Sequence, residues 1–271
     1  MKSISLLLLL ALNGFAQTRE AVPLHAELVK TGLYLIPGGG CNSLLRLSAD
    51  GLIIVDGKLP GNYSMLMRQA QAISNQPVRA LINTDSSPEL TGTNTEFLEA
   101  GTQILAQENV SQRLGPNGGP TKTFDTHITI KLGGIEVQVE HYGNGRTNGD
   151  SVVYFPNLKV VAIGDLFTLG TPQADYSAGG SLVNWAHVLS ETLKLDFDTV
   201  VPSTGTVMSR ADLEAFKAKL DTVVAHATEL VKNGVSKDQL MSRLNTNDLG
   251  WQFDFSGVAL DRFYAELQHS R

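Results

Sequence analysis

Residues 81–94 read LINTDSSPELTGTN: the end of an apolar strand, then a loop carrying two carboxylates, Asp85 and Glu89, and two hydroxyls, Ser86 and Ser87. Two such carboxylates can divide acid and base work between them, as in glycoside cleavage, but pairs of this kind occur in almost any cleft. A serine needs an activating base, and neither His nor Lys adjoins Ser86 or Ser87, so a serine nucleophile is unsupported. The histidines (His25, His127, His141, His187, His226 and His269) show no metal-binding spacing. Gly38-Gly39-Gly40 is followed by neither a helix nor a phosphate-loop lysine and reads as a turn permitting positive φ. Cys41 is the only cysteine, which excludes an intramolecular disulfide. With no His or Asp pattern to activate it, it reads as a small buried apolar residue.

The patterning around these groups describes the scaffold that must hold them. GLYLIPG, NSLLRLS and GLIIVDG are β-rich runs separated by Gly-rich turns, which predicts an antiparallel meander. Residues 63–73 are helix-like, with apolar Met65, Met67, Ala70 and Ile73. PVRALINT is a continuous apolar strand of the kind buried on both faces. A short helix, NTEFLEAG, and a strand, TQILAQ, follow. THITIKL and IEVQVEHYG alternate as half-buried strands do, and SVVYFP and LKVVAIGD form a hairpin pair around Pro156-Asn157. Residues 114–120 and 170–180 are loops by composition. Ser209 caps a helix whose stripe is Leu213, Phe216, Leu220, Val223, Ala227 and Leu230. Ser236 and Asp238 start another, and residues 258–268 form a last one. The order predicts two sheets sandwiched between helices in a single domain, residues 17–271.

With 42% hydrophobic and 18% charged residues the chain has ordinary globular composition. A net charge of −6 and the lack of any Lys/Arg block exclude a nucleic-acid partner. Lys2, the apolar run ISLLLLLAL and the small residues Gly14 and Ala16 outline a secretory signal peptide over residues 1–16. The expected location is therefore secreted or periplasmic. No later segment has membrane-span length, so no membrane attachment beyond the signal peptide is expected.

Five segments, in order and rough spacing, resemble the metallo-β-lactamase superfamily. GGGCNSLLRLSADGLIIVDG is similar to its opening strands, and ALINTDSSPELTGTN to its Asn-Thr-His-x-His-x-Asp-His segment. GRTNGDSVVYFP resembles its His-Thr-x-Gly-Asp segment with the following strand. VVAIGDLF resembles its Gly-Asp-Leu segment, and VVPSTGTVMSRADLEAF its Pro-Gly-His-Gly segment with the following helix. Together they cover roughly residues 30–230. The resemblance implies an α/β, four-layer αβ/βα sandwich with a metal site at one edge. Asn83, Thr84, Gly92, Asn94, Thr147, Gly149 and Asp150 match positions that hold no metal and are read as scaffold.

The superfamily binds one or two zinc ions through histidines and carboxylates, leaving an open position where bound water becomes hydroxide. Carried over position by position, the ligands fall on Asp85, Ser87, Glu89, Leu90, Arg146, Asp165 and Thr204, so every histidine is replaced and only Asp165 is retained. Leu90 ligates nothing, and Arg146 keeps its positive charge at any relevant pH. The expectation is that Arg146 partly substitutes for the metal, pairing with Asp85, Asp165 and Glu89. The expected protein is then an exported pseudoenzyme without zinc, catalytic residues or cofactor, whose former active-site cleft binds a small molecule. The alternative is a hydrolase working by metal-free acid/base chemistry or through Mg²⁺, Mn²⁺ or Ca²⁺ on Asp85, Glu89 and Asp165, an all-oxygen set that suits those ions rather than zinc. His141, at a strand end near the site in the superfamily's layout, is a possible pocket residue.

Overall fold

The computed structural model describes residues 24–116 and 118–269. The signal-peptide segment, residues 1–16, lies outside the described residues. Two mixed sheets form the centre of the molecule. The first has seven strands in chain order: β1 (Glu27–Lys30), β2 (Leu33–Ile36), β3 (Ser43–Ser48), β4 (Gly51–Val55), β5 (Val78–Ile82), β6 (Gln103–Gln107) and β7 (Lys122–Phe124). The first four pair antiparallel, as the meander predicts, and the rest parallel. The second sheet contains β8 (His127–Leu132), β9 (Ile135–Glu140), β10 (Val152–Phe155), β11 (Val160–Gly164), β12 (Thr199–Pro202) and β13 (Met208–Ser209). Its spatial order is β13-β12-β11-β10-β9-β8, with only β11 and β12 parallel.

Period-two alternation decides the layers. On β4, Ile53 and Val55 face the second sheet, while Leu52 and Ile54 face outward onto α1 (Tyr63–Ile73) through Leu66 and Ala70. On β10, Val153 and Phe155 enter the inter-sheet core, and Val152 and Tyr154 face the C-terminal helices. Every strand residue of β4, β10 and β11 is buried, because each of these strands has a packed layer on both sides. The result is helix, sheet, sheet, helix.

Two small helices follow α1: α2 (Pro88–Thr91) and α3 (Asn94–Glu99). Next come α4 (Glu108–Leu114) and α5 (Leu182–Thr192), neither of them expected from the sequence. The outer face of the second sheet carries α5, α6 (Arg210–Lys232), α7 (Lys237–Arg243) and α8 (Gly257–His269). Ser209 caps α6 in a full capping box with Asp212. Five of the six residues in its expected stripe are buried, and Leu230 packs against the same core. The stripe is therefore core. Among the described residues, no helix is long and apolar enough to cross a membrane.

Candidate functional site

The loops at one edge of the two sheets converge on Arg146. Asp85 follows β5 and folds back on its own loop, its Oδ1 accepting the Ser87 backbone N–H at 2.5 Å. This Asx-type turn hands over to Pro88 at the start of α2, where proline's missing N–H costs nothing. Leu90 is buried with its carbonyl accepting from Gly57 N (2.7 Å) and Asn83 Nδ2 (3.2 Å), so this position supplies packing and a backbone anchor. Asn94 Nδ2 in turn donates to Asn83 Oδ1 at 2.9 Å. These are structural roles for the scaffold positions.

Arg146 projects from the loop between β9 and β10. Asp150 shapes that loop by accepting from Gly145 N (3.1 Å), Thr147 N (2.9 Å) and Thr147 Oγ1 (2.7 Å). On its far side the Arg146 carbonyl accepts from Asp175 N at 2.8 Å. Gly180 packs so closely there that an added Cβ would sit 2.0 Å from the Arg146 carbonyl oxygen. Asp165 follows Gly164, which ends β11 at φ +55° pressed against Thr84, where an added Cβ would lie 2.4 Å from Thr84 Oγ1.

Arg146 Nη1 donates to Ser87 Oγ at 2.9 Å and lies 3.6 Å from Asp85 Oδ2 and 3.4 Å from Asp165 Oδ2. The Asp85 side chain is 1% exposed, Asp165 23% and Arg146 30%. Asp85 Oδ2 is fully buried and accepts no hydrogen bond. Ser203 Oγ donates to Asp165 Oδ1. Burial, reinforced by Asp165, pushes the Asp85 carboxyl up to about 6 against the opposing pull of Arg146. Burial disfavours the Arg146 charge, yet Asp165 and Asp85 outweigh it and hold its pKa above the ordinary value.

Arg146 therefore pairs with Asp85 and Asp165 as expected, but not with Glu89. Glu89 is exposed on the first turn of α2 and makes no ion pair with Arg146. The three-carboxylate set Asp85, Glu89, Asp165 is thus not assembled. Nor does His141 line the cleft beside the cluster, since its Nδ1–H donates to the Asp150 carbonyl at 2.7 Å. Thr204 is exposed at the cleft rim, while its neighbour Ser203 holds Asp165. The cleft, about 210 Å³, is lined by Arg146, Asp165, Thr168, Gln173, Ser203 and Thr204, with Thr171 and Trp185 completing it. No sequence signal singled out Thr168, Thr171 or Gln173, because their loop has neither periodicity nor a motif.

The donor set does not fit zinc. It has no imidazole, and a guanidinium nitrogen stands within 3.6 Å of both carboxylates that would face the ion. Among the described residues, no three His, Cys, Asp or Glu side chains converge as a metal site would require.

Sheet order, four-layer packing and the edge position of this cluster define a metallo-β-lactamase-fold protein. The metallo-β-lactamase from Pontibacter korlensis superposes on 73% of this chain and 99% of its own, with a TM-score of 0.67 at 20% identity. No protein-family model matches the chain. The alpha subunit of 2,4-dinitroanisole O-demethylase from Nocardioides sp. (strain JS1661) is 25% identical over 220 residues, covering 78% of this chain and 67% of that protein. Metallo-beta-lactamase IND-1 from Chryseobacterium indologenes is 28% identical over 125 residues, 44% of this chain and about half (52%) of that protein.

Proposed function

We propose that this chain is a metallo-β-lactamase-fold protein that works without zinc and binds a small molecule in the cleft beside Arg146. The observation that carries the reading is the place of the guanidinium, between Asp85 and Asp165. A fixed monocation there offsets one of the two carboxylate charges and repels a divalent ion, about 4 kcal/mol per unit-charge pair at 4 Å in a partly buried setting. The cleft retains a charged pair plus hydroxyl and amide groups, the usual equipment of a small-ligand site. A relative whose name gives it a small aromatic ether to act on supports an occupant of that size.

A second reading, a hydrolase using an oxygen-ligated cation, draws on one observation: the buried Asp85 Oδ2 lacks a hydrogen bond. Metal content decides between them. The chain is loaded separately with Zn²⁺, Mn²⁺, Mg²⁺ and Ca²⁺, dialysed and measured by mass spectrometry. Stoichiometry near zero throughout is expected. About one tightly held ion per chain, lost in Asp85→Ala or Asp165→Ala, overturns the metal-free reading.

A further inference from the structure

The polar cleft does not end at its own walls. Thr168 also lines a second depression of about 180 Å³, whose floor is Phe167, Phe216 and Trp251 and whose sides are Leu169 and Met208. The floor side chains are buried core residues, whereas Leu169 is 66% exposed. Leu169 leans on Gly205, where an added Cβ would lie 3.2 Å from its Cδ1. It thus stands over the loop that carries Ser203 and Thr204. Val207, 37% exposed, follows on the same loop. Of the five exposed large hydrophobic residues among those described, Leu169 lines this junction, beside Met208 and Trp251. Isolated exposed apolar residues need no explanation, but a cluster bordering a polar cleft marks a place where apolar ligand surface is buried.

We propose that the two depressions form one composite site for a small neutral amphiphile, its head in the Arg146 cleft and a short apolar tail across Thr168 against Leu169, Met208 and Trp251. This inference rests on the reading of the cleft as a ligand site and names the ligand's class. The head is not anionic because Asp85 and Asp165 already outnumber the Arg146 charge, and it is neutral because Asp165 is itself occupied by Arg146 and Ser203, leaving the outward guanidinium, Thr168, Gln173 and Thr204 as hydrogen-bonding groups. The tail is short because the groove is small and closes against Asp212 and Lys219 at its rim. No covalent step is implied.

The test is a homologous series: methyl, propyl and hexyl glucoside, titrated calorimetrically into the full chain and into Leu169→Ser and Ala215→Glu. Both substitutions are at exposed groove positions, so folding is retained, and thermal melts confirm it. Affinity is expected to rise with tail length by up to roughly fourfold per methylene. Both variants should flatten that rise while leaving methyl glucoside binding unchanged. Equal binding of all three glucosides would overturn the composite site and leave the polar cleft standing. A chain-length gain that persists in both variants would place the tail elsewhere and also overturn it. No binding by any member would sink the neutral-head cleft and the composite site together.

Discussion

Arg146 Nη1 lies 3.6 Å from Asp85 Oδ2, a buried oxygen that accepts no hydrogen bond and is matched only by that charge. The same nitrogen is 3.4 Å from Asp165 Oδ2, so one cation serves two carboxylates contributed by different sheets. The arrangement ties the edges of the two sheets together and sets how the molecule responds to mutation.

Arg146→Ala leaves Asp85 and Asp165 without a counter-ion. Removing one partner of a buried pair typically costs 3–5 kcal/mol, and partial exposure here reduces that to about 2–3 kcal/mol. Mn²⁺ or Ca²⁺ should then raise the melting temperature of the variant but not of the parent chain, since the vacated position lies between two carboxylates and the Ser87 hydroxyl. Scanning calorimetry with and without each ion checks both effects. An unchanged melting temperature in the variant without added metal would remove the structural role of the guanidinium.

Asp85 makes stability fall as pH rises through the mildly acidic range. Its folded-state value, about 6, lies above an ordinary value of about 3.9, so the folded form holds the proton more tightly. The resulting stabilisation is complete below about pH 4 and is lost as pH rises through about 6, amounting to about 3 kcal/mol at most. Asp85→Asn should flatten this slope between pH 4 and 6. Urea unfolding across that window reads it, and equal slopes in variant and parent would refute the assignment.

Lys58 is fully buried, and its Nζ donates to the carbonyls of Ile36 and Cys41, both at 2.5 Å. Lys58→Met removes the buried charge but orphans both carbonyls, with an expected net cost of about 2 kcal/mol near neutral pH. Burial lowers the Lys58 pKa to about 8, below an ordinary value of about 10.4. Here the sign is opposite: the unfolded chain holds the proton more tightly, so the parent gains stability relative to the variant as pH rises from about 8 to 10.4. Denaturation at pH 7, 9 and 10.5 measures the trend. A difference independent of pH would show that the ammonium ionises normally.

Gly180→Ala should disturb Arg146 from a distance in sequence. The new Cβ would meet the Arg146 carbonyl oxygen at 2.0 Å and Asp175 N at 3.0 Å, both backbone atoms. One loop must move, at a cost of about 1–3 kcal/mol. NMR of the Arg146 side chain should report weakened pairing with Asp165, and an unperturbed spectrum would mean that Gly180 is free to vary.

Much of this protein is written locally. The Leu213 to Ala227 stripe, the Ser209 cap, the PVRALINT strand and the turn at Pro156-Asn157 are all decided by side-chain periodicity and turn chemistry within a dozen residues. β1, by contrast, is a short edge strand, Glu-Leu-Val-Lys, half exposed and without alternation. The helix α5 did have a signal, Leu182, Trp185 and Leu189 after the Ser181 cap, hidden by its nearness to a loop. At the site, residue types alone established that histidines are lacking and that Arg146 brings a fixed charge. Only the tertiary structure decided that this charge meets Asp85 and Asp165 and leaves Glu89 in solvent, and that Ser203 rather than Thr204 holds Asp165. The reason is geometric: Asp85 and Arg146 are brought together by loops from two different sheets, and no pattern along either strand encodes a contact across that gap.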